Sequence, residues 1–166
     1  MATTDNKALL IKWLNGAYSL ETTLVGMLEN QADRASDFPD FQNRIQGHHE
    51  DTKRHANIVK GCISRLGGDV SEVRAGISKL FGEAQSQFLG AFGDSIIKDA
   101  LVGATSEQFE IVSYKAIIAL ADKIGDDETS RVCQEILKEE EEMLEFFFEN
   151  IEEIVDQGID RGLFLG

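Results

Sequence analysis

Apolar residues along this chain recur every three or four positions, which is the spacing of one face of an α-helix. The strict alternation that indicates a half-buried β-strand is almost absent. The pattern therefore predicts an all-α protein. Its four long helices are expected at about residues 7–31, 39–66, 95–124 and 127–155.

Residues typical of helix ends stand at the limits of these stretches. Pro39 suits the first turn of the second helix, and Gly67 and Gly125 suit positions that follow a helix. The candidate N-terminal caps of the third and fourth helices are Asp94 or Ser95 and Asp126 or Asp127. The short connections within each half of the chain predict two antiparallel helix hairpins.

The segment between the hairpins, about residues 72–92, also carries apolar residues at helical spacing. It is predicted to be a helical crossover, because two hairpins that lie side by side need a connection that runs along the bundle. Residues 156–166 contain three glycines and are predicted as a tail. The expected architecture is a four-helix bundle, formed as one domain by all 166 residues, with the crossover between helices two and three.

Acidic residues occupy the centre of the apolar stripe in all four predicted helices. Thirty residues separate Glu21 from Asp51, and the same interval separates Glu110 from Glu140. A buried carboxylate is costly unless it is paired, protonated or bound to a cation. One such residue in each helix of two matching hairpins predicts a shared, inward-facing site for two metal ions.

Helix geometry selects the other candidates, since successive residues are about 100° apart. His48 and His55 lie within about 20° of each other on the second helix, with Asp51 to one side. On the third helix, Glu107 lies one turn before Glu110 on the same face. The candidate metal ligands are therefore Glu21, His48, Asp51, His55, Glu107, Glu110 and Glu140.

Glu140 belongs to a run of four glutamates, Glu139–Glu142. Only Glu140 lies at the centre of the apolar stripe, while its neighbours point to the sides and are expected to be solvated. Each histidine has an alternative interpretation as a core residue with a hydrogen-bond partner. The inner carboxylates have an alternative interpretation too, because hydrogen bonds to Tyr18, Tyr114 or one another would hold them without a metal.

Composition excludes some partners. The 16 basic and 30 acidic residues give a net charge of −14, which argues against nucleic acid or an anionic membrane. No apolar run approaches the ~20 residues that span a bilayer, and the polar N-terminus lacks the apolar core of a signal peptide. Cys62 and Cys133 fall on apolar stripes and are interpreted as small buried residues. A cytoplasmic location is expected.

Short motifs occur in all four predicted helices: residues 17–21, residues 48–52, residues 107–110 with Ser113 and Tyr114, and residues 139–140. In these motifs, over about residues 14–151, the chain resembles the YciE/YciF-type ferritin-like proteins of bacteria, a family with stress-associated members. The resemblance implies a ferritin-like four-helix bundle with a crossover segment, a carboxylate-rich site between the helices and a dimer. It supports as site residues Glu21, His48, Glu107, Glu110 and Glu140.

The chain departs from this family pattern at four positions near the site. Asp51 stands where the family more usually has Glu, and Gln108 stands where it usually has His. His55 replaces an uncharged polar residue, and Leu144 replaces an acidic one. His55 is thereby a candidate ligand peculiar to this chain.

The expected cofactor is a pair of iron ions, with manganese or zinc as alternatives. Carboxylates combined with imidazoles suit iron or manganese, whereas a zinc site would more often contain an excess of His or Cys. Glu21 and Glu140 are expected as terminal ligands, and Glu110 and Asp51 as bridging or terminal ones.

Such a centre predicts oxidation of Fe(II), or reduction of dioxygen or peroxide, in a stress response. One alternative is a metal-free structural or partner-binding helical bundle. A mineral store in a large shell is the third. The apolar positions of the crossover segment also predict a homodimer.

Overall fold

The computed structural model of the protein describes residues 2–70 and 95–162. These residues form four helices and no strand, so the all-α class is confirmed. The helices are α1 (Ala2–Arg34), α2 (Pro39–Arg65), α3 (Ile96–Ile124) and α4 (Asp127–Asp160). The predicted crossover helix at about residues 72–92 and the end of the predicted tail, residues 163–166, lie outside the described residues.

The helix ends follow the local chemistry of the sequence. Pro39 is the first residue of α2, where its missing N–H costs no hydrogen bond. Of the candidate caps, Ser95 accepts a hydrogen bond from the Lys98 N–H, and Asp126 accepts one from the Thr129 N–H. Gly125 follows α3 with a φ of 76°, which places it in the left-handed region that favours glycine.

Two helices are longer than their apolar pattern predicts. α1 begins at Ala2 and ends at Arg34 rather than near Gln31, and α4 continues to Asp160 rather than to about Val155. The added residues are mostly polar, which is why they lack the periodic signal. They contain no proline that would stop a helix, so the backbone hydrogen bonds continue through them.

The helices form two antiparallel hairpins, α1 with α2 and α3 with α4, and α1 also packs on α3 and α2 on α4. The amide of Gln31, late in α1, donates to the carbonyl of Asp99, early in α3, over 3.2 Å. Arg65, the last residue of α2, pairs with Asp126 before α4 at 2.6 Å. α1 and α3 are therefore antiparallel, as are α2 and α4, so α2 ends and α3 begins at opposite ends of the bundle.

The bundle interior has three layers along its axis. One end is an apolar cluster that includes Leu14, Val59 and Ile117, and both Cys62 and Cys133 are buried in it as predicted. The other end is an apolar cluster that includes Leu28, Ile45 and Phe147. Between them lies a layer of buried polar side chains contributed by all four helices. This middle layer is the place where ionised groups need partners.

Within residues 2–70 and 95–162, no helix is both long enough and apolar enough to cross a bilayer.

Candidate metal centre

The middle layer contains four carboxylates and two imidazoles that converge on the bundle axis. α1 contributes one of them, α2 contributes two, α3 contributes two and α4 contributes one. None of the six residues is more than 1% exposed to solvent. They are Glu21, His48, His55, Glu107, Glu110 and Glu140, six of the seven candidates that the sequence indicated.

These side chains form two groups that share one residue. In the first group, one ligand atom each from Glu21, His55 and Glu140 lies within 4.8 Å of the others. In the second group, the same is true of His48, Glu107 and Glu140. Glu140, expected as a terminal ligand, is therefore the residue common to both groups.

The two imidazoles face the shared carboxylate from different sides. His48 Nε2 lies 3.2 Å from Glu107 Oε1 and 3.5 Å from Glu140 Oε2. His55 Nδ1 lies 2.7 Å from Glu140 Oε1 and 3.9 Å from Glu21 Oε2. Each carboxylate oxygen of Glu140 thus faces a different imidazole, which is the arrangement expected of a bridging ligand.

Many of the oxygen and nitrogen atoms that could bind a metal in this cluster are buried and make no hydrogen bond. Among the described residues, both carboxylate oxygens of Glu110 have no hydrogen-bond partner. Glu140 Oε1 and His55 Nδ1 approach each other closely, but their contact does not have hydrogen-bond geometry. The other such atoms in the cluster are Glu21 Oε2, Glu107 Oε2 and Glu140 Oε2. Buried polar atoms without partners are rare, so each one calls for an explanation.

Burial dominates the electrostatics of the carboxylates. It raises the pKa of Glu21 to about 8, and the neighbouring charge of Glu140 adds to that increase. Burial together with nearby carboxylates also raises the pKa of Glu107 and of Glu110 well above the ordinary range. For Glu140 the effect of burial is outweighed by the adjacent imidazoles, and its pKa is lowered.

The two imidazoles differ from each other. Burial lowers the pKa of His48. Burial also acts to lower the pKa of His55, but its contacts with Glu140 and Glu21 outweigh that effect and raise the pKa to about 9. The cluster therefore contains groups that are held in opposite protonation states by their surroundings.

A second set of residues holds the inner ones in place. The Tyr114 hydroxyl donates a hydrogen bond to Glu21 Oε1. On the outer side of α2, Glu139 Oε2 lies 2.6 Å from His55 Nε2, and Arg54 Nη2 donates to the same oxygen over 2.6 Å. The sequence predicts Tyr114 as a partner of an inner carboxylate, in agreement with this contact. It predicts Glu139 to be solvated, whereas the structure places its carboxylate against His55.

Asp51 does not join the cluster, in contrast to the expectation from its spacing. Its side chain is 36% exposed, and its Oδ1 accepts a hydrogen bond from Arg54 Nη2 over 2.8 Å. The short aspartate side chain lies at the edge of the buried face of α2, and the ion pair with Arg54 directs it outward. The structure therefore gives α2 two inward-facing histidines and no inward-facing carboxylate.

The residues present fit a metal centre. Carboxylate oxygens and imidazole nitrogens from four helices converge, and several of them lack any other partner. Iron and manganese accept this mixed set of oxygen and nitrogen ligands, and zinc accepts it as well. Cations would satisfy the unpartnered oxygens and offset the repulsion between neighbouring carboxylates.

The antiparallel four-helix bundle with a buried carboxylate and histidine cluster defines a ferritin-like fold with a candidate metal site. The chain belongs to the family described as Domain of unknown function (DUF892), which matches residues 5–160.

Solved structures support the same fold. A protein from Xanthomonas campestris pv. campestris is 27% identical, with a TM-score of 0.82 over 96% of this chain and 99% of that chain. The bacterioferritin of Desulfovibrio desulfuricans, which has a diiron site, is 22% identical, with a TM-score of 0.76 over 94% of this chain and 85% of that chain. YcfI from Rhodopseudomonas palustris, described as a candidate structural protein, is 21% identical, with a TM-score of 0.75 over 86% of this chain and 92% of that chain.

Proposed function

We propose that this protein is a di-iron carboxylate protein that oxidises Fe(II) or reduces dioxygen or peroxide. We further propose that it is a member of the YciE/YciF-type ferritin-like proteins and acts in a cytoplasmic stress response. The observation that carries the proposal is the buried cluster itself, in which neither oxygen of Glu110 has a hydrogen-bond partner among the described residues. Retaining such groups in a core costs stability, so a bound cation is the simplest reason for them.

The geometry supports a distinct role for each ligand. Glu140 would contact both ions, since its two oxygens face the two groups of donors. Glu21 and His55 would complete one position. His48 and Glu107 would complete the other. Glu110 is close enough to Glu21, Glu140 and Glu107 for their charges to raise its pKa, and it would supply a further carboxylate to the pair.

The protein groups around the ligands fix their orientation and exclude water. Tyr114 holds Glu21 through its hydroxyl, so the free oxygen of Glu21 faces the cluster. The apolar clusters at either end of the bundle close the centre along its axis. An iron pair bound there would supply electrons for the reduction of dioxygen or peroxide as Fe(II) becomes Fe(III).

A metal-free structural or partner-binding bundle is the other candidate function, and one contact favours it. The hydrogen bond from Tyr114 to Glu21 is the kind of pairing that would hold a carboxylate without a cation. Glu110 lacks any such partner among the described residues, which favours the metal centre instead. The resemblance in fold to YcfI, at 21% identity, does not distinguish the two.

Anaerobic titration of chelator-treated protein with Fe(II) tests the proposal. We expect saturable uptake of about two ions per chain, with optical changes on exposure to dioxygen or peroxide. Mn(II) and Zn(II) titrations, run in parallel, establish the metal preference. Protein that shows no saturable uptake of any of the three metals would refute the metal centre and leave the structural bundle.

Two variants sharpen the test, because Glu140 is shared and Glu107 is not. We expect Glu140→Gln to lose both ions, since an amide cannot bridge two cations as a carboxylate does. We expect Glu107→Gln to retain one ion in the group formed by Glu21, His55 and Glu140. Circular dichroism of each metal-free variant checks that the helices are intact.

A further inference from the structure

The imidazole ring of His55 lies between two consecutive glutamates of α4. On the inner side, His55 Nδ1 is 2.7 Å from Glu140 Oε1. On the outer side, His55 Nε2 is 2.6 Å from Glu139 Oε2. Each ring nitrogen therefore faces its own carboxylate, one inside the candidate metal centre and one outside it.

The outer contact decides which nitrogen can act as a ligand. An ionised carboxylate can only accept a hydrogen bond, so a short contact with Glu139 requires a proton on Nε2. A bound cation would take the place of the second ring proton and would be held by the electron pair of the nitrogen that loses it. That nitrogen is Nδ1, which faces Glu140 Oε1 and Glu21 Oε2 and makes no hydrogen bond of its own.

Glu139 is itself fixed from the surface. Arg54 Nη2 donates to Glu139 Oε2 over 2.6 Å and to Asp51 Oδ1 over 2.8 Å. The guanidinium thus joins α2 to α4 and holds the Glu139 carboxylate against the ring. The 2.6 Å ion pair with Arg54 makes Glu139 an acceptor for the proton on His55 Nε2.

We propose that Glu139, held by Arg54, is a positioning residue that keeps the proton of His55 on Nε2 and presents Nδ1 to the metal. Metal-binding histidines commonly donate their second N–H to a carboxylate, which fixes the ring and makes it a stronger ligand. Asp51 belongs to this arrangement as the surface partner of Arg54. The inference rests on the proposed metal centre and assigns a role to two residues outside it.

The test replaces Glu139 and compares it with a neighbour on the same helix. Glu139→Ala removes the hydrogen-bond acceptor, whereas Glu139→Gln keeps an amide oxygen that can accept the same bond from Nε2. Glu142→Ala is the matched control, because Glu142 is exposed on α4 and its ion-pair contact is with Lys138. Chelator-treated proteins are titrated with Co(II), and thermal unfolding of the metal-free forms is measured alongside.

We expect Glu139→Ala to weaken Co(II) binding by about 10- to 100-fold, the usual effect of losing such a partner. We expect Glu139→Gln to recover most of the affinity and Glu142→Ala to leave it unchanged. Proton NMR of the Co(II)-loaded protein in water supplies a second readout. The shifted N–H signal of His55 is identified by its absence from a His55→Ala sample. In the unmodified protein this proton should exchange slowly with water. In Glu139→Ala it should exchange quickly, or its signal should be lost.

The outcomes separate this inference from the proposed function. If the unmodified protein takes up neither Co(II) nor any of Fe(II), Mn(II) and Zn(II), both the metal centre and the role of Glu139 are refuted. If it binds Co(II) and Glu139→Ala behaves like Glu142→Ala in affinity and in the N–H signal, the positioning role alone is refuted. A loss of affinity in Glu139→Ala that Glu139→Gln does not recover, together with a lower unfolding temperature, would indicate a merely structural role and also refute it.

Discussion

At the scale of single residues, Glu110 is the side chain that stability alone cannot explain. It is 1% exposed, and neither of its oxygens has a hydrogen-bond partner among the described residues. A charged carboxylate buried in this way costs several kcal/mol of stability. The group avoids this cost by staying protonated, so its pKa is raised. The raised pKa of Glu110 follows from burial first and from Glu21, Glu140 and Glu107 next.

Glu110→Gln should therefore make the metal-free protein more stable than the unmodified protein, and this difference should grow as the pH rises. The pKa of Glu110 in the folded protein is well above its ordinary value of 4.5, so folding favours the protonated form. The unmodified protein then loses stability as the pH rises above 4.5, because the unfolded chain releases this proton whereas the buried carboxyl group keeps it. Glutamine does not titrate, and we expect the variant to gain about 1 kcal/mol or more over the unmodified protein at pH 8.

Urea unfolding at pH 5 and pH 8, with a chelator present, measures this difference. The exposed Glu142→Gln variant is the control and should behave alike at both pH values. The same Glu110→Gln protein should bind less metal than the unmodified one, since it lacks a carboxylate of the centre. A stability difference that does not grow with pH would contradict the assignment of Glu110 as a buried, unpartnered acid.

Most of the site could be predicted from the sequence, because helix phase alone determines which residues face inward. Glu21, Glu107, Glu110 and Glu140 all lie at the centre of an apolar stripe, and the structure brings them together with both histidines. The exception is Asp51, which the structure leaves outside the cluster although it lies only about 40–60° from the two histidines around the helix. At that angle, the outcome depends on side-chain length and on the nearest cation.

The role of Glu139 could not be predicted in this way. It is one residue from Glu140 and about 100° away around α4, which assigns it to the side of the helix. Whether a side residue reaches the next helix depends on how α2 and α4 are rotated against each other. That rotation is set by packing across the whole interface and leaves no periodic signal in either helix.

At the scale of helices, the ends with local signals were predictable and the others were not. Ser95, Asp126 and Gly125 each mark a helix end through a side-chain cap or a left-handed backbone, and these ends agree with expectation. The ends of α1 and the end of α4 have no apolar periodicity, so the pattern stopped short of them. Helix continuation there depends on backbone hydrogen bonds rather than on burial.

Close packing between α3 and α4 gives a prediction at Gly103. A Cβ at this position would collide with the ring of Phe147, which is 2% exposed and packed among other aromatic side chains. Overpacking a core typically costs about 1–3 kcal/mol, and alanine recovers up to about 1 kcal/mol through helix propensity. We expect Gly103→Ala to lower the free energy of unfolding by about 1–2 kcal/mol.

Gly61 is the matched control for this experiment. It lies in the interior of α2, is exposed, and a Cβ there would have no heavy atom within 4 Å. Gly61→Ala should raise the free energy of unfolding by about 0.5–1 kcal/mol. Denaturant titrations of the two variants should therefore move in opposite directions, and equal gains in both would mean that the ring of Phe147 yields.

At the scale of the whole molecule, the layers that stabilise the fold are separate from the layer that contains the candidate metal site. The apolar cluster at each end buries residues from all four helices, and it is here that hydrophobic burial stabilises the bundle. The polar layer between them brings four buried carboxylates and two buried imidazoles close together. Rigid packing on both sides keeps these groups close together although the carboxylates repel one another, and the proposed metal centre would be arranged in this way before a cation binds.

The outer surface of the bundle also carries an unusual feature, an apolar patch along α3. Val112 and Phe148 are 60% and 66% exposed, Phe109 lines the same hollow, and Trp13 lies with Phe109 in the adjoining one. The shallow hollow between Leu101 and Phe148 is lined by uncharged residues only. In a chain of net charge −14, two copies repel each other over most of their surface, so an uncharged face is where they can meet.

The predicted homodimer should therefore form through this patch. Introducing a like charge on both copies would oppose association, so we expect Val112→Glu and Phe148→Glu to shift the protein from dimer to monomer. Gln46→Glu adds the same charge at an exposed position of α2 and should leave the dimer intact. Sedimentation velocity over a range of concentrations measures the change. Dimers that persist in both patch variants would place the interface on another face, and an unmodified protein that stays monomeric would refute the homodimer itself.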